Sequence, residues 1–212
     1  MRQNNDAVMG YIERIFAAED ALLKQVRSVG EELRAGMQVG AVEGQLLRVL
    51  VQMVNAKRVV EVGGFVGYSA ICMARALPAD GELITMEYDA KHAAILREHA
   101  ARSGLPITVM EGDALELIPT IEGEVDVIFI DAEKRRYVDY LDGLLPRLRR
   151  GGLVIGDNTL LFGAMAAGAP VGHVSAEAFA AMRAFNQRLA DATQFTGVLI
   201  PTEEGLSVAV KI

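Results

Sequence analysis

The first part of the chain carries apolar residues at the spacing of amphipathic helices. Between residue 6 and about residue 35, apolar side chains recur every three or four positions, as they do on the buried face of a helix. The positions are Val8, Ile12, Ile15, Phe16, Leu22, Leu23, Val26, Val29 and Leu33. Gly36 ends this region, and the stretch "AVEGQLLRVLVQMVNA" predicts a further helix over about 41–55. We therefore expect three helices in the N-terminal part.

From residue 58 onward the pattern changes to short β-rich runs that alternate with helical segments. The runs are "RVVEV", "ELITMEY", "ITVMEG", "VDVIFID" and "GLVIGDN", and a helix-like segment follows each of them. Strands interleaved with helices are typical of βαβ units, and a run as continuously apolar as "VDVIFI" is typical of a strand buried on both faces. The pattern predicts a parallel sheet with helices on both sides.

The C-terminal stretch "FTGVLIPTEEGLSVAVKI" follows a different pattern, because two β-rich runs meet at a short turn around Glu203–Gly205 with no helix between them. This arrangement predicts an antiparallel hairpin that closes the sheet. The whole pattern predicts an α/β fold with a seven-stranded, mostly parallel sheet and an antiparallel last strand. A single domain is expected over 1–212, with N-terminal helices over about 1–56 and the core over about 57–212. Residues 163–172 form the longest turn-rich segment, and such loops are often functional.

Composition narrows the class of partner. Hydrophobic residues make up 51% and charged residues 23% of the 212 positions, which is ordinary for a soluble globular domain. The net charge of -7 argues against nucleic acid, since phosphate binding needs clustered Lys and Arg. The nearest basic cluster is "RLRR" at 147–150, at the end of a helix-like segment, where cations complement the helix dipole. No nucleic-acid partner is expected.

Cysteine and histidine usage excludes two kinds of site. Cys72 is the single cysteine, so an internal disulfide framework is excluded and a reducing compartment is favoured. It lies in an apolar run, which predicts a buried, unreactive thiol. His92 and His99 fall in a helical segment and are expected on its surface, too scattered to bind zinc. No apolar stretch approaches 18 residues, so no membrane partner and a cytoplasmic location are expected.

Chemically versatile residues stand at the ends of the predicted strands, where open α/β sheets bind ligands. They are Glu61, Gly63, Gly64, Gly67, Ser69, Glu87, Gly112, Asp113, Asp131, Lys134, Asp157 and Asn158. Glycines let a ligand approach the backbone, and an acidic residue after the second strand can accept hydrogen bonds from both ribose hydroxyls. The pattern indicates an adenosine cofactor. Glycines that only form turns, and Glu87 as an acid at a helix N-terminus, are the structural alternatives.

Asp131, Asp157 and Asn158 supply oxygen ligands only, which suits a hard divalent cation. Neighbouring parallel strands lie about 4.8 Å apart, so residues at adjacent strand ends can share one ion. The alternative is that Asp131 caps a helix and Asp157 with Asn158 starts a turn. Lys134 lies one helical turn from Asp131, and an ammonium beside a cation can have its pKa lowered enough to act as a general base. Its alternative is an exposed surface lysine.

Several stretches together resemble a known family. They are "MVNAKRVVEVGGFVGYSA", "TMEYDA", "EGDALELIP", "FIDAEKRRY" and "GDN". In this order they resemble the cation-dependent class I O-methyltransferases of the catechol and caffeoyl-CoA type, and the likeness runs from about residue 37 to the terminal hairpin. The resemblance implies a Rossmann-like fold, S-adenosylmethionine as the methyl donor and a hydroxyl of a small catechol-like molecule as the acceptor. It also implies a homodimer.

The resemblance assigns roles to the residues at the strand ends. It implies that Asp131, Asp157 and Asn158 hold a divalent cation, Mg²⁺ ahead of Mn²⁺ or Ca²⁺. It implies that Lys134 is the catalytic base and that Asp131 acts with it. The residues that it implies for the cofactor pocket are Val39, Glu61, Gly63, Ser69, Glu87, Asp113, Ala114 and Asp131. Of these, Glu87 resembles the ribose ligand, Asp113 and Ala114 resemble the adenine contact, and Glu61 with Gly63 and Ser69 lines the methionine tail.

The chain departs from the family pattern near the expected acceptor. Glu133 stands where relatives often have Asp, and Arg136 stands where many have Asn. Arg136 and the segment 163–172 are expected on the acceptor side, and their roles stay open. An NAD-dependent oxidoreductase is one rival interpretation, but the spacing G-G-x-x-G matches the dinucleotide fingerprint G-x-G-x-x-G poorly. A binding protein that keeps the fold and the cofactor without turnover is the other.

Overall fold

The structure, a computed structural model, describes residues 5–202 and 204–212. Its strands are β1 (Arg58–Val62), β2 (Glu82–Glu87), β3 (Ile107–Glu111), β4 (Val125–Ile130), β5 (Leu148–Gly156), β6 (Phe195–Ile200) and β7 (Leu206–Lys211). Its helices are α1 (Asn5–Phe16), α2 (Ala21–Leu33), α3 (Ala41–Met53), α4 (Tyr68–Ala74), α5 (Ala90–Ser103), α6 (Ala114–Leu117), α7 (Tyr137–Leu144), α8 (Ala164–Ala167) and α9 (Ala176–Leu189). Short 3₁₀ turns cover Ile118–Thr120, Lys134–Arg136 and Leu145–Arg147.

The strands of the described residues form one seven-stranded sheet in the order β3-β2-β1-β4-β5-β7-β6. Strands β1 to β5 run parallel, and β7 runs antiparallel to both β5 and β6. The predicted fold class, a mostly parallel seven-stranded sheet with an antiparallel last strand, is confirmed. The strand order reverses between β1 and β4, and the carboxyl ends of these two strands therefore flank the crevice where such sheets bind ligands.

The core has two halves, one on each face of the sheet. Successive side chains of a strand point to opposite faces, so Val127 and Phe129 of β4 pack with the N-terminal helices and α4. Ile128 and Ile130 of the same strand pack with α7 and α9 on the other face. This burial on both faces explains the continuous apolar run that the sequence shows in β4.

Four local predictions need correction or completion. His99 was expected on the surface of α5, but it is 3% exposed, and its Nδ1 lies 2.8 Å from the carbonyl oxygen of Val66. Only Arg147 of the cluster 147–150 ends a helical segment, the 3₁₀ turn Leu145–Arg147; β5 begins at Leu148, and Arg149 in β5 pairs with Asp126 in β4. Segment 163–172 includes the helical turn α8. The turn before β7 includes Glu203, which lies outside the described residues.

The structure bears on two further predictions, one about the cysteine and one about membrane-spanning helices. Cys72 is 4% exposed, and burial raises the pKa of its thiol to about 12, which confirms a buried and unreactive cysteine. Across 5–202 and 204–212, no helix has the length and apolarity that crossing a bilayer requires.

Candidate functional site

The ends of β1, β4 and β5 are level with one another. The register pairs Val62 with Ile130 and Ile130 with Gly156, so the next residues, Gly63, Asp131 and Asp157, lie at one edge of the sheet. The amide of Asp131 donates to the carbonyl of Val62 at 2.9 Å, and that of Asp157 donates to Ile130 at 3.0 Å. Extension of the sheet's hydrogen bonding by one residue places Asp131 beside the glycine loop and Asp157 next to Asp131.

The glycine loop after β1 requires glycine at Gly63. Its φ is +95°, and a Cβ there would collide with the backbone oxygen of Asp131. Gly67, with φ of +94°, precedes the first residue of α4. The backbone of this loop therefore lies directly against the start of the segment that follows β4, with no side chain between them.

Glu61 is a fully buried carboxylate with spare hydrogen-bonding capacity. Its Oε1 accepts a bond from the Ser69 hydroxyl at 2.5 Å. Its Oε2 is buried without a hydrogen-bond partner among the described residues. Burial raises the pKa of Glu61 to about 7, although the nearby Ser69 and Thr85 hydroxyls hold it down. A buried acid with an unpaired oxygen is suited to a cationic group such as the ammonium of a bound amino acid.

Glu87 is oriented by backbone amides on both of its oxygens. Oε2 accepts from the Phe65 amide at 2.8 Å and Oε1 from the Asp89 amide at 2.9 Å. Asp89, and not Glu87, caps α5, so the alternative of a helix N-terminal acid is wrong. His92 lies beside this carboxylate, with its Nδ1 3.7 Å from Oε1 and its ring edge-on to Phe65 at 4.8 Å. The sequence did not indicate this histidine as part of the site.

Asp113 lies at the start of α6, where its Oδ1 accepts a bond from the Leu115 amide at 2.9 Å. Its Oδ2 accepts from Arg136 at 2.8 Å, and the Arg136 guanidinium holds the pKa of Asp113 below its usual value. Ala114 follows it and is buried. Arg136 was expected on the acceptor side, but its guanidinium is bonded to the predicted adenine contact. Its place relative to an acceptor stays a prediction.

A chain of hydrogen bonds joins Asp131 to Asp157. Lys134 Nζ donates to Asp131 Oδ1 at 2.9 Å and lies 2.7 Å from the Tyr137 hydroxyl. That hydroxyl donates to the Asp157 carbonyl oxygen at 2.9 Å. Lys134 is therefore no surface lysine, and Asp131 does not cap the following turn, which Glu133 caps. Tyr137 was missed in the sequence, although its position three residues after Lys134 is a signal that they share a face.

The protein groups alone hold the Lys134 ammonium protonated. Burial lowers its pKa, but Tyr137 and the Asp131 carboxylate raise it by more, and the net shift is upward. The lowered pKa expected from the sequence is not produced by these residues. The reason is that Asp131, which was expected to bind a cation, is also the nearest anion to Lys134.

The donor set around Asp157 suits a divalent cation. Asp157 is 3% exposed, and burial, then the charges of Asp131 and Glu43, raise its pKa. Its Oδ1 accepts from the Asn158 amide at 2.6 Å, and Asn158 is left-handed with φ of 52°. Within the described residues, no group of three or more His, Cys, Asp or Glu is placed to hold a metal ion. The donors are carboxylate oxygens of Asp131 and Asp157 and the amide oxygen of Asn158, the types that a hard ion prefers, although Lys134 is already paired with Asp131.

Two residues of the N-terminal part bear on the site, and only Glu43 was not indicated by the sequence. Glu43, in the first turn of α3, is close enough for its charge to act on Asp157. Val39, the predicted backbone contact before α3, is 5% exposed, and its carbonyl accepts a bond from Arg27 at 3.4 Å. The structure thus brings N-terminal segments to the same edge of the sheet as the glycine loop.

The comparisons with known proteins agree on one family. A family model described as O-methyltransferase matches residues 13–212. A catechol O-methyltransferase of Niastella koreensis is 38% identical over 162 residues, which cover 73% of each chain. Caffeoyl-CoA O-methyltransferase 2 of Petunia hybrida is 33% identical over 174 residues, covering 77% of this chain and 72% of that one.

A solved structure is similar over the whole chain. The O-methyltransferase TomG of Streptomyces achromogenes, which is involved in tomaymycin synthesis and was solved in complex with S-adenosylmethionine, superposes with a TM-score of 0.90. The identity is 28%, and the match covers 100% of this chain and 99% of TomG. The similarity therefore includes the N-terminal helices as well as the sheet.

Proposed function

Because the chain belongs to the S-adenosylmethionine-dependent O-methyltransferases of the catechol and caffeoyl-CoA type, we propose that it methylates one hydroxyl of a small catechol-like acceptor with the help of a divalent cation. The observation that carries the proposal is the pair of carboxylates at adjacent strand ends, the partly exposed Asp131 and the buried Asp157, near the buried acid Glu61 of β1. In this reaction the new O–CH₃ bond forms as the S–CH₃ bond breaks, so positioning and a deprotonated oxygen are what the protein must supply.

The proposed cofactor site divides into three parts. Glu61, Gly63 and Ser69, with the backbone of Val39 and the side chain of Asp131, would surround the amino-acid tail. The unpaired oxygen of Glu61 supports this placement, since it needs a cationic partner. Glu87, whose oxygens are aimed by two amides, would accept the ribose hydroxyls. Asp113 and Ala114 would contact the adenine, with Arg136 holding Asp113 in place.

Asp131, Asp157 and Asn158 are the proposed metal ligands. The oxygen-only donor set favours Mg²⁺, with Mn²⁺ and Ca²⁺ as ions that the same donors accept. Such a cation would acidify a bound hydroxyl, and its charge would weaken the hold of Asp131 on the Lys134 proton. The Tyr137 bond to the Asp157 backbone keeps the two ligand-bearing segments together.

Lys134 is the proposed proton acceptor for the acceptor hydroxyl. Replacing it with methionine is expected to lower kcat by at least about a hundredfold, the usual contribution of a general base, with little change in affinity for S-adenosylmethionine. Turnover and cofactor titration on the same preparation check this. Arg135→Met is the matched control, since Arg135 is an exposed neighbour paired with Glu133. Near wild-type turnover of Lys134→Met would assign the base to another group.

A homodimer is the proposed assembly. Helix α1 leaves Met9, Tyr11, Ile15 and Phe16 exposed, and exposed apolar patches of this kind commonly mark interfaces. Light scattering is expected to give twice the chain mass of 22.8 kDa, and Phe16→Ser is expected to lower it. Val198→Ser, at an exposed residue of the edge strand β6, should leave the mass unchanged. A wild-type mass of one chain would contradict the proposal.

The cellular setting and the domain division complete the proposal. The single cysteine, buried in the structure, supports a reducing compartment such as the cytoplasm. The packing of α2 and α3 against the sheet in one shared core supports a single domain, with residues 1–56 as N-terminal helices and 57–212 as the core.

Transfer of labelled methyl from S-adenosylmethionine to a panel of catechols tests the reaction. We expect transfer to at least one catechol, and no binding of NAD in a parallel titration. Binding of S-adenosylmethionine without transfer to any acceptor would instead favour a non-catalytic binding protein of the same fold. Binding of NAD alone would favour the oxidoreductase.

A further inference from the structure

Arg27, on α2, connects three segments that are far apart in the sequence. Its Nε donates to Glu19 Oε1 at 2.7 Å, in the connection between α1 and α2. Its guanidinium carbon lies 4.2 Å from the centre of the Tyr68 ring, at the start of α4. Its Nη1 donates to the carbonyl of Val39 before α3. Tyr68 completes the set, because its hydroxyl donates to the same Glu19 oxygen at 2.6 Å.

These contacts are shielded from water. The side chains of Arg27 and Glu19 are 25% and 15% exposed, and Tyr68 is 2% exposed. Arg27 Nη2 is buried and has no hydrogen-bond partner within the described part of the chain. Charged hydrogen bonds and cation–π contacts are stronger where water is excluded, so these interactions constrain their segments more than surface pairs would.

Both ends of the connection adjoin the proposed pocket for the amino-acid tail. Tyr68 directly precedes Ser69, whose hydroxyl donates to Glu61. Val39 directly precedes Gly40, the residue that caps α3. Arg27 therefore links the part of the pocket wall that contains Val39 to the part that contains Ser69. Among the described residues, it forms no hydrogen bond with Glu61 or Asp131.

We infer that Glu19, Arg27 and Tyr68 form a positioning network that closes the N-terminal helices onto the glycine loop and thereby sets the affinity for the amino-acid tail of the cofactor. The inference rests on the proposed cofactor site. The three residues are positioning residues, since the reacting atoms are expected at Asp131 and Lys134 on the other side of the loop.

Calorimetric titration of two variants tests the network. Arg27→Gln removes the charge on which the ion pair with Glu19 and the cation–π contact with Tyr68 depend, and Tyr68→Phe removes one hydrogen bond while keeping the ring. Arg27→Gln is expected to raise the Kd for S-adenosylmethionine about tenfold, the factor that corresponds to ~1.4 kcal/mol, and Tyr68→Phe to raise it less. The Kd for 5′-methylthioadenosine, which has no amino-acid tail, should change less than about twofold, because the lost contacts adjoin only the proposed pocket for that tail. kcat at saturating cofactor should stay near wild type.

Arg75→Gln is the matched control. Arg75, at the end of α4, pairs with Asp20, the N-cap of α2, at 2.6 Å, so this pair joins the same two helices without touching Val39. The control should lower Tm and leave both Kd values unchanged. An unchanged Kd for S-adenosylmethionine in folded Arg27→Gln and Tyr68→Phe would overturn the inference, as would an equal loss in Arg75→Gln. If Arg27→Gln does not fold, Tyr68→Phe decides. Failure of the wild type to bind S-adenosylmethionine would reject the proposed function itself.

Discussion

Replacing Glu61 with glutamine is expected to stabilise the cofactor-free protein at pH 8 and to weaken its binding of S-adenosylmethionine. The pKa of Glu61 is raised from 4.5 to about 7 by burial. Between pH 4.5 and about pH 7, Glu61 keeps a proton in the folded state that it has lost in the unfolded state. The free energy of unfolding therefore falls as pH rises through this window. By pH 8 the buried charge of Glu61 lowers the free energy of unfolding by about 3 kcal/mol, and an uncharged glutamine does not have this effect.

Thermal melts of both proteins at pH 4.5 and pH 8 check the stability part. The variant should melt several degrees higher at pH 8, and the difference should nearly vanish at pH 4.5. Glu111→Gln, at the end of the edge strand β3, is the control, because Glu111 is exposed on the surface and paired with Arg97. Equal Tm values of wild type and Glu61→Gln at pH 8 would contradict the prediction that the buried charge of Glu61 destabilises the folded protein.

The binding part of the prediction uses two ligands. Loss of a buried charged partner typically costs 2–5 kcal/mol, so the Kd for S-adenosylmethionine should rise by at least about thirtyfold. Affinity for 5′-methylthioadenosine should be nearly equal in wild type and variant, because this ligand has no ammonium group. An equal loss of affinity for both ligands would show that Glu61 does not contact the amino-acid tail.

Asp157→Asn is expected to remove metal-dependent turnover while the protein still binds S-adenosylmethionine. The change keeps the shape of the side chain but removes one of two carboxylates in the proposed metal site. Lewis-acid assistance is worth several kcal/mol, so kcat should fall by at least about a hundredfold. The variant should also melt higher without metal, because burial and the charge of Asp131 disfavour ionised Asp157.

Turnover measured across a Mg²⁺ titration, and again with excess chelator, checks the metal assignment. Wild-type turnover should disappear with chelator and return with metal, and Asp157→Asn should respond to neither. Asp139→Asn, at an exposed position of α7, is the control for loss of an acidic side chain. Full wild-type turnover in chelator would refute the proposed cation dependence.

The accuracy of the sequence interpretation differs between elements for physical reasons. Strand positions were predicted to within a residue or two at the carboxyl ends, because a buried parallel strand has to be continuously apolar. The start of β5 was placed four residues late, since "RRGG" is polar and carries glycine where the strand lies near the sheet's amino-terminal end. Helix α8 was missed because a single turn has no periodicity to detect.

The sequence by itself determined the sheet, its hairpin, and the edge at which Glu61, Glu87, Asp131 and Asp157 lie. Alternation and strand ends are local properties of the chain, and parallel strands bring their carboxyl ends together. Only the tertiary structure decided which charges meet. Arg136 is bonded to Asp113 and Lys134 is held by Asp131 and Tyr137, while Arg27 spans Glu19, Tyr68 and Val39. A long charged side chain can reach a partner that its position in the sequence does not specify. The burial, the pairing and the pKa of such a group therefore depend on how distant segments pack.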